Sequence, residues 1–179
     1  MDVFAPVAHL LPRAPARILD VGAGTGRDAA WFARQGHSVV AAEPVDELRE
    51  AGRALHSGAR VRFIADALPD LVRTRGMGEA FDLIVACAVW QHVRPEDRAA
   101  SLAALSSLTA PGAALLLSIR HGAGAPDRPC FPASPDETIA LAAAAGLRLS
   151  DRREAESVQP ANRANGVRWT WLALRRDAQ

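Results

Sequence analysis

"ILDVGAGTGRDAAW", residues 18–31, holds three glycines at alternate positions directly after a short apolar run. The run at residues 17–21 has the continuous apolar character of a strand buried in a parallel sheet. Glycines at such a strand end let the backbone turn sharply and approach a nucleotide closely. The segment therefore predicts an α/β domain with a nucleotide site after its first strand, and it leaves the identity of the nucleotide open.

Composition limits the size and partners of the protein. A chain of 179 residues with 49% hydrophobic residues predicts one domain over residues 1–179. The formal net charge of +1 weighs against a nucleic-acid partner. Cys87 and Cys130 form neither a metal spacing nor a disulfide framework, which suits a reducing compartment. We find no signal peptide and no membrane span, and therefore expect a cytoplasmic location.

Strand-like and helix-like patterns alternate along the first two thirds of the chain. Strands are predicted at residues 17–21, 37–43, 60–66, 81–89 and 113–119. Helices are predicted at residues 28–35, 45–55, 95–108 and 135–146. The last two strand-like runs, 147–153 and 167–175, have no predicted helix between them and must therefore pair antiparallel. We predict a Rossmann-like three-layer α/β sandwich, with a mostly parallel seven-stranded sheet and a C-terminal antiparallel hairpin.

Three features bear on whether the nucleotide is a dinucleotide or a cofactor of another kind. The glycine spacing is G-x-G-x-G, and Arg27 stands where a dinucleotide loop needs its third glycine. Asp66 ends the third strand, where a carboxylate can accept from an adenine amino group. The chain contains no tyrosine and no lysine, so it lacks the pair that single-domain dehydrogenases use. These features argue against a dinucleotide, although Glu43 after the second strand suits either cofactor.

Five motifs in order carry a family resemblance. They are "ILDVGAGTG", "VVAAEP", "FIADAL", "FDLIVACAVWQHV" and "LTAPGAALLLSI", at successive strands. The chain resembles class I S-adenosylmethionine-dependent methyltransferases over essentially its whole length. Within that class it is similar to small bacterial enzymes of the tellurite-resistance and small-molecule type. The resemblance implies S-adenosylmethionine as cofactor, S-adenosylhomocysteine as product, and in-line displacement of the methyl group.

The resemblance also implies which residues bind the cofactor. They are Asp20, Gly22, Ala23, Gly24, Gly26, Glu43, Pro44, Asp66, Ala67, Ala86 and Cys87. In this assignment Asp20 braces the glycine loop and the methionine ammonium, and Glu43 binds the ribose hydroxyls. Asp66 and the next residue read the adenine edge. The alternative for Asp20 and Glu43 is a helix-capping or solvated carboxylate.

The acceptor side is less specified by the sequence. His92 is the candidate general base if the acceptor loses a proton in the transition state, because the chain has no lysine or tyrosine. Its alternative role is to cap the loop or pack under the cofactor. Trp90, Arg120 and His121 are candidate substrate contacts, against a core tryptophan and a solvated arginine as the alternatives.

Two segments are candidate covers for the site. Residues 1–16 form either a short lid helix or nothing that closes the pocket, and residues 120–134 form a loop on the substrate side. No "NPPY"-type segment follows the fourth strand, which favours a small-molecule acceptor over a DNA base. A cofactor-binding regulatory module without turnover and an RNA methyltransferase are the alternatives.

Overall fold

A single sheet organises the computed structural model, which describes residues 2–124 and 128–177. Its strands are β1 (Arg17–Val21), β2 (Ser38–Ala42), β3 (Val61–Ile64), β4 (Phe81–Ala86), β5 (Thr109–His121), β6 (Leu147–Glu156) and β7 (Arg168–Arg176). The spatial order is β3-β2-β1-β4-β5-β7-β6. Strands β1 to β5 pair in parallel, whereas β7 runs antiparallel to both β5 and β6. This confirms the predicted seven-stranded sheet with its closing hairpin.

Helices cover both faces of the sheet. They are α1 (Arg27–Arg34), α2 (Asp46–Leu55), α3 (Val72–Arg75), α4 (Arg98–Leu108), α5 (Pro135–Ala144) and α6 (Pro160–Ala164), with 3₁₀ helices at Asp2–Leu10, Trp90–His92 and Pro95–Asp97. Leu102 of α4 and Ala142 of α5 belong to the core on one face, and Phe32 of α1 belongs to the core on the other. The three-layer prediction is therefore confirmed. Among the described helices, none has the length and apolarity needed to cross a membrane.

Helix α5 shows how local residues set an element's bounds. Ser134 is its N-cap, and the Ser134 hydroxyl accepts a hydrogen bond from the Glu137 N–H at 3.3 Å. Pro135 occupies the first helical position, where its missing N–H costs nothing. Gly146 follows the helix with φ of +79°, the left-handed conformation that ends helices and favours glycine. The helix thus ends at Ala144, slightly before the predicted residue 146.

Two predicted details are wrong. The link between β6 and β7 contains the short helix α6, although no helix was expected there. Pro160 at its first turn is a helix-start signal that was too short to stand out from the surrounding polar loop. The fifth strand, predicted at residues 113–119, begins at Thr109 instead, and its register shifts between the pairs Phe81–Thr109 and Leu83–Ala114.

The N-terminal 3₁₀ helix, Asp2–Leu10, packs on the α1 face of the sheet. Phe4 and Val7 are buried. The Phe4 ring lies 5.7 Å from the Trp31 ring and 5.7 Å from the Trp171 ring, between centroids. This aromatic contact fixes the segment against α1 and β7.

Candidate active site

The predicted cofactor residues meet at one edge of the sheet. The strand order reverses between β1 and β4, and the carboxyl ends of β1, β2, β3 and β4 open onto the same side. In open α/β sheets, ligands bind in the crevice at this reversal point. The predicted glycine loop, residues 22–26, follows β1. Glu43 and Pro44 follow β2, residues 66–67 follow β3, and Ala86 and Cys87 stand at the end of β4.

The glycine loop after β1 has two kinds of glycine. Gly22, Gly24 and Gly26 all have positive φ, at +67°, +57° and +74°. A Cβ on Gly22 would lie 2.4 Å from a Val89 methyl group, and one on Gly26 would lie 2.4 Å from the Phe63 ring. A Cβ on Gly24 would meet no atom within 4 Å. Packing therefore requires two of the glycines, and Gly24 faces open space suited to a ligand.

Glu43 holds this loop in shape. Its buried carboxylate accepts a hydrogen bond from the Gly24 N–H at 2.9 Å and another from the Val45 N–H at 3.0 Å. Each carboxylate oxygen keeps a further lone pair, so two ribose hydroxyls can still donate to it. Pro44 follows at an exposed position beside the same crevice. The loop is tied to β2 from the other side, because the Gly22 and Ala23 N–H groups both donate to the Ala42 carbonyl.

Asp20 is a buried acid with an unmet hydrogen bond. Only 3% of the residue is exposed, and within the described parts of the chain its Oδ2 has no hydrogen-bond partner. Burial, followed by the nearby Asp28 carboxylate, holds the pKa of Asp20 well above its ordinary value. Asp28 itself is bound by the Arg27 guanidinium at 2.7 Å. A cationic donor from a ligand would satisfy Asp20 and lower its pKa.

Asp66 has a structural partner that the sequence did not reveal. Its Oδ2 accepts hydrogen bonds from the N–H and the hydroxyl of Thr74, both at 2.7 Å, and this anchors α3. Its Oδ1 accepts from the N–H of the exposed residue Ala67 at 3.1 Å. Thr74 therefore holds the Asp66 carboxylate, and the carboxylate in turn holds the Ala67 N–H. The adenine contact of these two groups stays a prediction.

The end of β4 combines the half-buried Cys87 with a strained residue. Burial, with the Asp28 and Asp20 carboxylates adding to it, raises the pKa of Cys87 to about 12, so the thiol stays protonated at neutral pH. Ala88 has φ of +58°, an uncommon conformation for a residue with a Cβ. Two hydrogen bonds hold it: its N–H donates to the Ser118 hydroxyl at 2.8 Å, and its carbonyl accepts from the Gln91 amide at 2.7 Å.

His92 ties two loops together. Its Nδ1 lies 2.7 Å from the Pro129 carbonyl oxygen, and a carbonyl can only accept, so Nδ1 carries the proton. Its Nε2 faces the Gln91 amide nitrogen at 3.3 Å. The Phe131 N–H also donates to the Gln91 carbonyl at 2.7 Å. These contacts join the segment after β5 to the turn after β4, which is the loop-capping alternative for His92; the base role stays a prediction.

Trp90 needs a correction. The side chain is fully buried, and its indole N–H donates to the Thr138 hydroxyl of α5 at 3.1 Å. It packs in the core between the sheet and α4 and α5. Trp90 is therefore the core tryptophan of the alternative interpretation and does not form a pocket wall.

Arg120 and His121 are both engaged within the protein. The Arg120 guanidinium donates to the Ala123 carbonyl at 2.7 Å and lies 5.6 Å from the centre of the Trp169 ring. The His121 Nε2 lies 2.7 Å from the hydroxyl of Thr170 on β7. Neither residue lines the cleft described next, so the structure does not bring the predicted substrate contacts to it.

A largely apolar cleft opens beside the end of β4. Five parts of the chain form it: the N-terminal 3₁₀ helix, the start of α1, the end of β4, the interior of β5, and the β6–β7 hairpin. The lining residues are Val3, Pro6, Arg27, Cys87, Ala88, Ser118, Ala155, Glu156, Ser157, Val158, Gln159, Trp169 and Trp171. Sequence reasoning missed this cleft because its residues are distant in the chain. The alternation of Trp169 and Trp171 on one strand was its available signal.

The fold and the crevice define a class of protein, and comparison with known proteins identifies the family. A reversed parallel sheet with a glycine loop after β1, an acid after β2 and a final antiparallel strand is the class I methyltransferase architecture. A family model described as "Methyltransferase domain" matches residues 2–175. The chain therefore belongs to the S-adenosylmethionine-dependent methyltransferase family. This confirms the family, enzyme class and cofactor that the motifs predicted.

Named relatives cover the chain to different extents. The ubiquinone biosynthesis O-methyltransferase of Xylella fastidiosa (strain 9a5c) is 34% identical over 114 residues, which are 63% of this chain and 45% of that protein. The chain thus spans less than half the length of that curated relative. The Burkholderia thailandensis 1,6-didemethyltoxoflavin-N1-methyltransferase, crystallised with 1,6-didemethyltoxoflavin and S-adenosylhomocysteine, is 29% identical with a TM-score of 0.74, covering 98% of this chain and 76% of that one.

The narrower tellurite-resistance resemblance has weaker support. A TehB-like methyltransferase structure from Corynebacterium glutamicum has a TM-score of 0.69 and 20% identity, covering 98% of this chain and 87% of that one. Identity this low shows a shared fold alone. The tellurite-resistance assignment therefore stays a prediction.

Proposed function

We propose that this protein transfers a methyl group from S-adenosylmethionine to a small molecule bound in the apolar cleft. One observation carries the proposal: Cys87 and Ala88 at the end of β4 border both the glycine-loop crevice and the cleft. The Cys87 thiol is close enough to Asp20 and Asp28 for both to raise its pKa. A donor held by the loop and an acceptor held in the cleft would therefore meet at this strand end.

The residues present fit the cofactor. The unmet Oδ2 of Asp20 suits the ammonium of the methionine part, and the Glu43 oxygens suit the ribose hydroxyls. The open space at Gly24 gives the cofactor room to lie against the loop backbone. Asp66 and Ala67 at the end of β3 are the proposed adenine contacts, and Pro44, Ala86 and Cys87 complete the crevice.

The chemistry requires little from the protein beyond placement. When bound, S-adenosylmethionine supplies a methyl group on a positively charged sulfur, which is already a good leaving group. The cleft's contribution is to hold the acceptor atom in line and to exclude water, effects that supply much of the rate in such reactions. A base is needed only where the acceptor must lose its proton in the transition state. His92 remains our candidate for that step, with the test given below.

The N-terminal segment is the proposed lid. Val3 and Pro6 of the 3₁₀ helix line the cleft, while Phe4 anchors the helix in the aromatic core. Among the residues of the predicted 120–134 loop, 125–127 lie outside the described residues. Residues 128–134 are joined to the turn after β4 through the Pro129 and Phe131 contacts. We treat residues 1–179 as one domain, and the cytoplasmic location stays a prediction.

Relatives support a small-molecule acceptor. By their names, the Xylella protein serves ubiquinone biosynthesis and the Burkholderia protein methylates 1,6-didemethyltoxoflavin. Both names indicate small-molecule acceptors, and the cleft of this chain is lined by side chains suited to such an acceptor. The regulatory module and the RNA methyltransferase are separate outcomes of the experiments below.

Cofactor binding is tested by calorimetry with S-adenosylhomocysteine and two alanine variants. Gly24 and Gly36 both have positive φ, at +57° and +92°, and a Cβ meets nothing within 4 Å at either. Both substitutions should therefore cost a similar backbone strain of about 1–2 kcal/mol. We expect Gly24→Ala to weaken binding more than tenfold and Gly36→Ala, at the far end of α1, to leave it unchanged. Absence of binding at sub-millimolar ligand, or equal effects of the two variants, would contradict the proposal.

Turnover is tested by a product assay with thiols, phenols, amines and chalcogen oxyanions. Methylated product from a small acceptor supports the proposed function. Cofactor binding with no turnover on any acceptor would instead support the regulatory module. RNA binding that weakens steeply with added salt, together with RNA methylation, would support the RNA methyltransferase.

A further inference from the structure

We infer that the acceptor is a flat, uncharged aromatic or heteroaromatic molecule and that the cleft discriminates against oxyanions. The inference rests on the proposed function and refines it, because it concerns the same cleft. It depends on three properties of that cleft: the shape of its walls, their rigidity, and the charge that faces the acceptor.

The walls are mainly apolar, with two tryptophans on one side. Trp169 is half-buried, and Trp171 lies two residues further along the same face of β7. Val158 from the β6–β7 hairpin adds a large apolar side chain that is 45% exposed. Pro6 from the N-terminal helix closes the other side. Aromatic rings gain most from a flat π-system stacked on them or meeting their edge, so these walls favour a planar guest.

The aromatic walls are fixed before any acceptor binds. The Arg120 guanidinium stacks 5.6 Å from the centre of the Trp169 ring, and it is itself held by the Ala123 carbonyl at 2.7 Å and the Asn162 side chain at 3.2 Å. Trp171 is 3% exposed and lies 5.7 Å from Phe4 between ring centres. A preorganised slot saves the entropy of ordering side chains on binding and therefore selects for shape.

The charge that remains in the cleft is negative. Two residues on the cleft lining, Arg27 and Glu156, carry a full charge. The Asp28 carboxylate neutralises the Arg27 guanidinium, with contacts of 2.7 Å and 3.2 Å. The Glu156 carboxylate is exposed and forms no ion pair with any other described residue. An anion in the cleft would face this carboxylate at short range, where like charges disfavour binding. Arg120, which was predicted as a candidate substrate contact, does not line the cleft, because its guanidinium lies against the Trp169 ring and donates to the Ala123 carbonyl.

The reaction on such an acceptor balances without another reactant. A ring hydroxyl, thiol or ring N–H supplies the lone pair that forms the bond to the methyl carbon. The sulfur–methyl bond breaks with its electron pair left on sulfur. The proton of the acceptor passes to the general base, for which His92 is our candidate, or to water where no base is needed. The class of acceptor is thus a phenol, an aromatic thiol or an N–H heterocycle.

Calorimetry on the protein saturated with S-adenosylhomocysteine tests the inference with three probes: 2-naphthol, 6-hydroxy-2-naphthoate and tellurite. We expect 2-naphthol to bind at least tenfold more tightly than the naphthoate, and tellurite to show no saturable binding. Glu156→Gln should reduce that preference several-fold, whereas Glu79→Gln should not, because Glu79 pairs with Arg62 of the edge strand β3, away from the β6–β7 hairpin. Equal or tighter binding of either anion would overturn the inference.

Two further measurements separate the possible failures. Trp169→Ala should weaken 2-naphthol binding more than tenfold and leave S-adenosylhomocysteine affinity unchanged, and Trp169→Phe should restore most of the loss. Absence of S-adenosylhomocysteine binding to the unmodified protein would refute the proposed function itself. Normal S-adenosylhomocysteine binding without a preference for 2-naphthol would refute the present inference alone. If Trp169→Ala does not fold, the Trp169→Phe and Glu156→Gln results still decide it.

Discussion

The two halves of the sheet differ in how they build a binding site. On the β1–β2 side, Asp20, the glycine loop and Glu43 lie within 24 consecutive residues and use backbone N–H groups and buried carboxylates. On the β5–β7 side, the cleft is formed by tryptophans, a hairpin and a distant N-terminal helix. The first site is a local motif that needs few long-range contacts to take shape. The second exists only when remote parts of the chain have packed together.

The largest loss of stability should come from Gly26→Ala in the glycine loop, on the β1–β2 side of the sheet. A Cβ there combines positive φ of +74° with a 2.4 Å approach to the Phe63 ring. Strain and overpacking together should lower the free energy of unfolding by about 2–5 kcal/mol. Urea unfolding measures this directly, with Gly36→Ala as the control that has the strain but no clash. If Gly26→Ala loses no more unfolding free energy than the control does, the loop tolerates packing changes. The contrast between a tightly packed glycine loop and the cleft side of the sheet would then be weaker.

A second prediction concerns the pH dependence that Asp20 introduces. Because its pKa is raised in the folded protein, the folded state binds this proton more tightly than the unfolded state does. The resulting stabilisation is complete below the ordinary value of 3.8 and is lost as the pH rises through the raised pKa. The melting temperature of the ligand-free protein, measured relative to Asp20→Asn, should therefore fall between pH 4 and pH 8 by several degrees, at about 2–4 °C per kcal/mol.

A ligand should remove that pH dependence. Saturating S-adenosylhomocysteine supplies the cationic ammonium that Asp20 lacks, so the unmodified protein should gain more from ligand at pH 8 than Asp20→Asn does. Asp70→Asn, at an exposed position, is the matched control. If the melting temperatures of the unmodified protein and of Asp20→Asn change in the same way with pH across this range, Asp20 is not a buried acid with a raised pKa.

The smallest effect distinguishes the two roles of His92. The side-chain amide of asparagine can replace Nδ1–H as donor to the Pro129 carbonyl, but it cannot act as a general base. If His92 joins the loops, His92→Asn should keep turnover within about twofold and His92→Ala should lose it several-fold. Loss of 10²–10⁴-fold in both variants, at saturating cofactor, would instead establish the base.

Most of the fold could be predicted because its signals are local. Strand β1 matches its predicted bounds, since an apolar run followed by glycine has few other interpretations. The Ser134 cap and Pro135 likewise mark the start of α5 by residues within one turn. Helices α3 and α6 were missed because each contains one turn only, too little for a periodic pattern to appear.

The site residues also divide into those that local sequence signals predict and those that depend on long-range packing. The crevice residues were predicted from the family resemblance, and Asp20 and Glu43 lie close together because strand ends in a parallel sheet meet at one edge. Their contacts with the cofactor stay predictions. Trp90 was misplaced because an aromatic residue after a strand end can face either the core or the pocket, and only its hydrogen bond to Thr138 decides. The cleft around Trp169 depends on packing between distant segments, of which the sequence shows only the alternation of Trp169 and Trp171 on one strand.

The position of the first 3₁₀ helix also matters for handling the protein. Any extension placed before Asp2 starts one residue from Val3, which lines the cleft. The end of β7 lies beside Ala114, near the start of β5 and at the opposite end of these strands from the cleft. An affinity tag or a surface-immobilisation linker therefore belongs after Arg176, where it leaves the acceptor entrance clear.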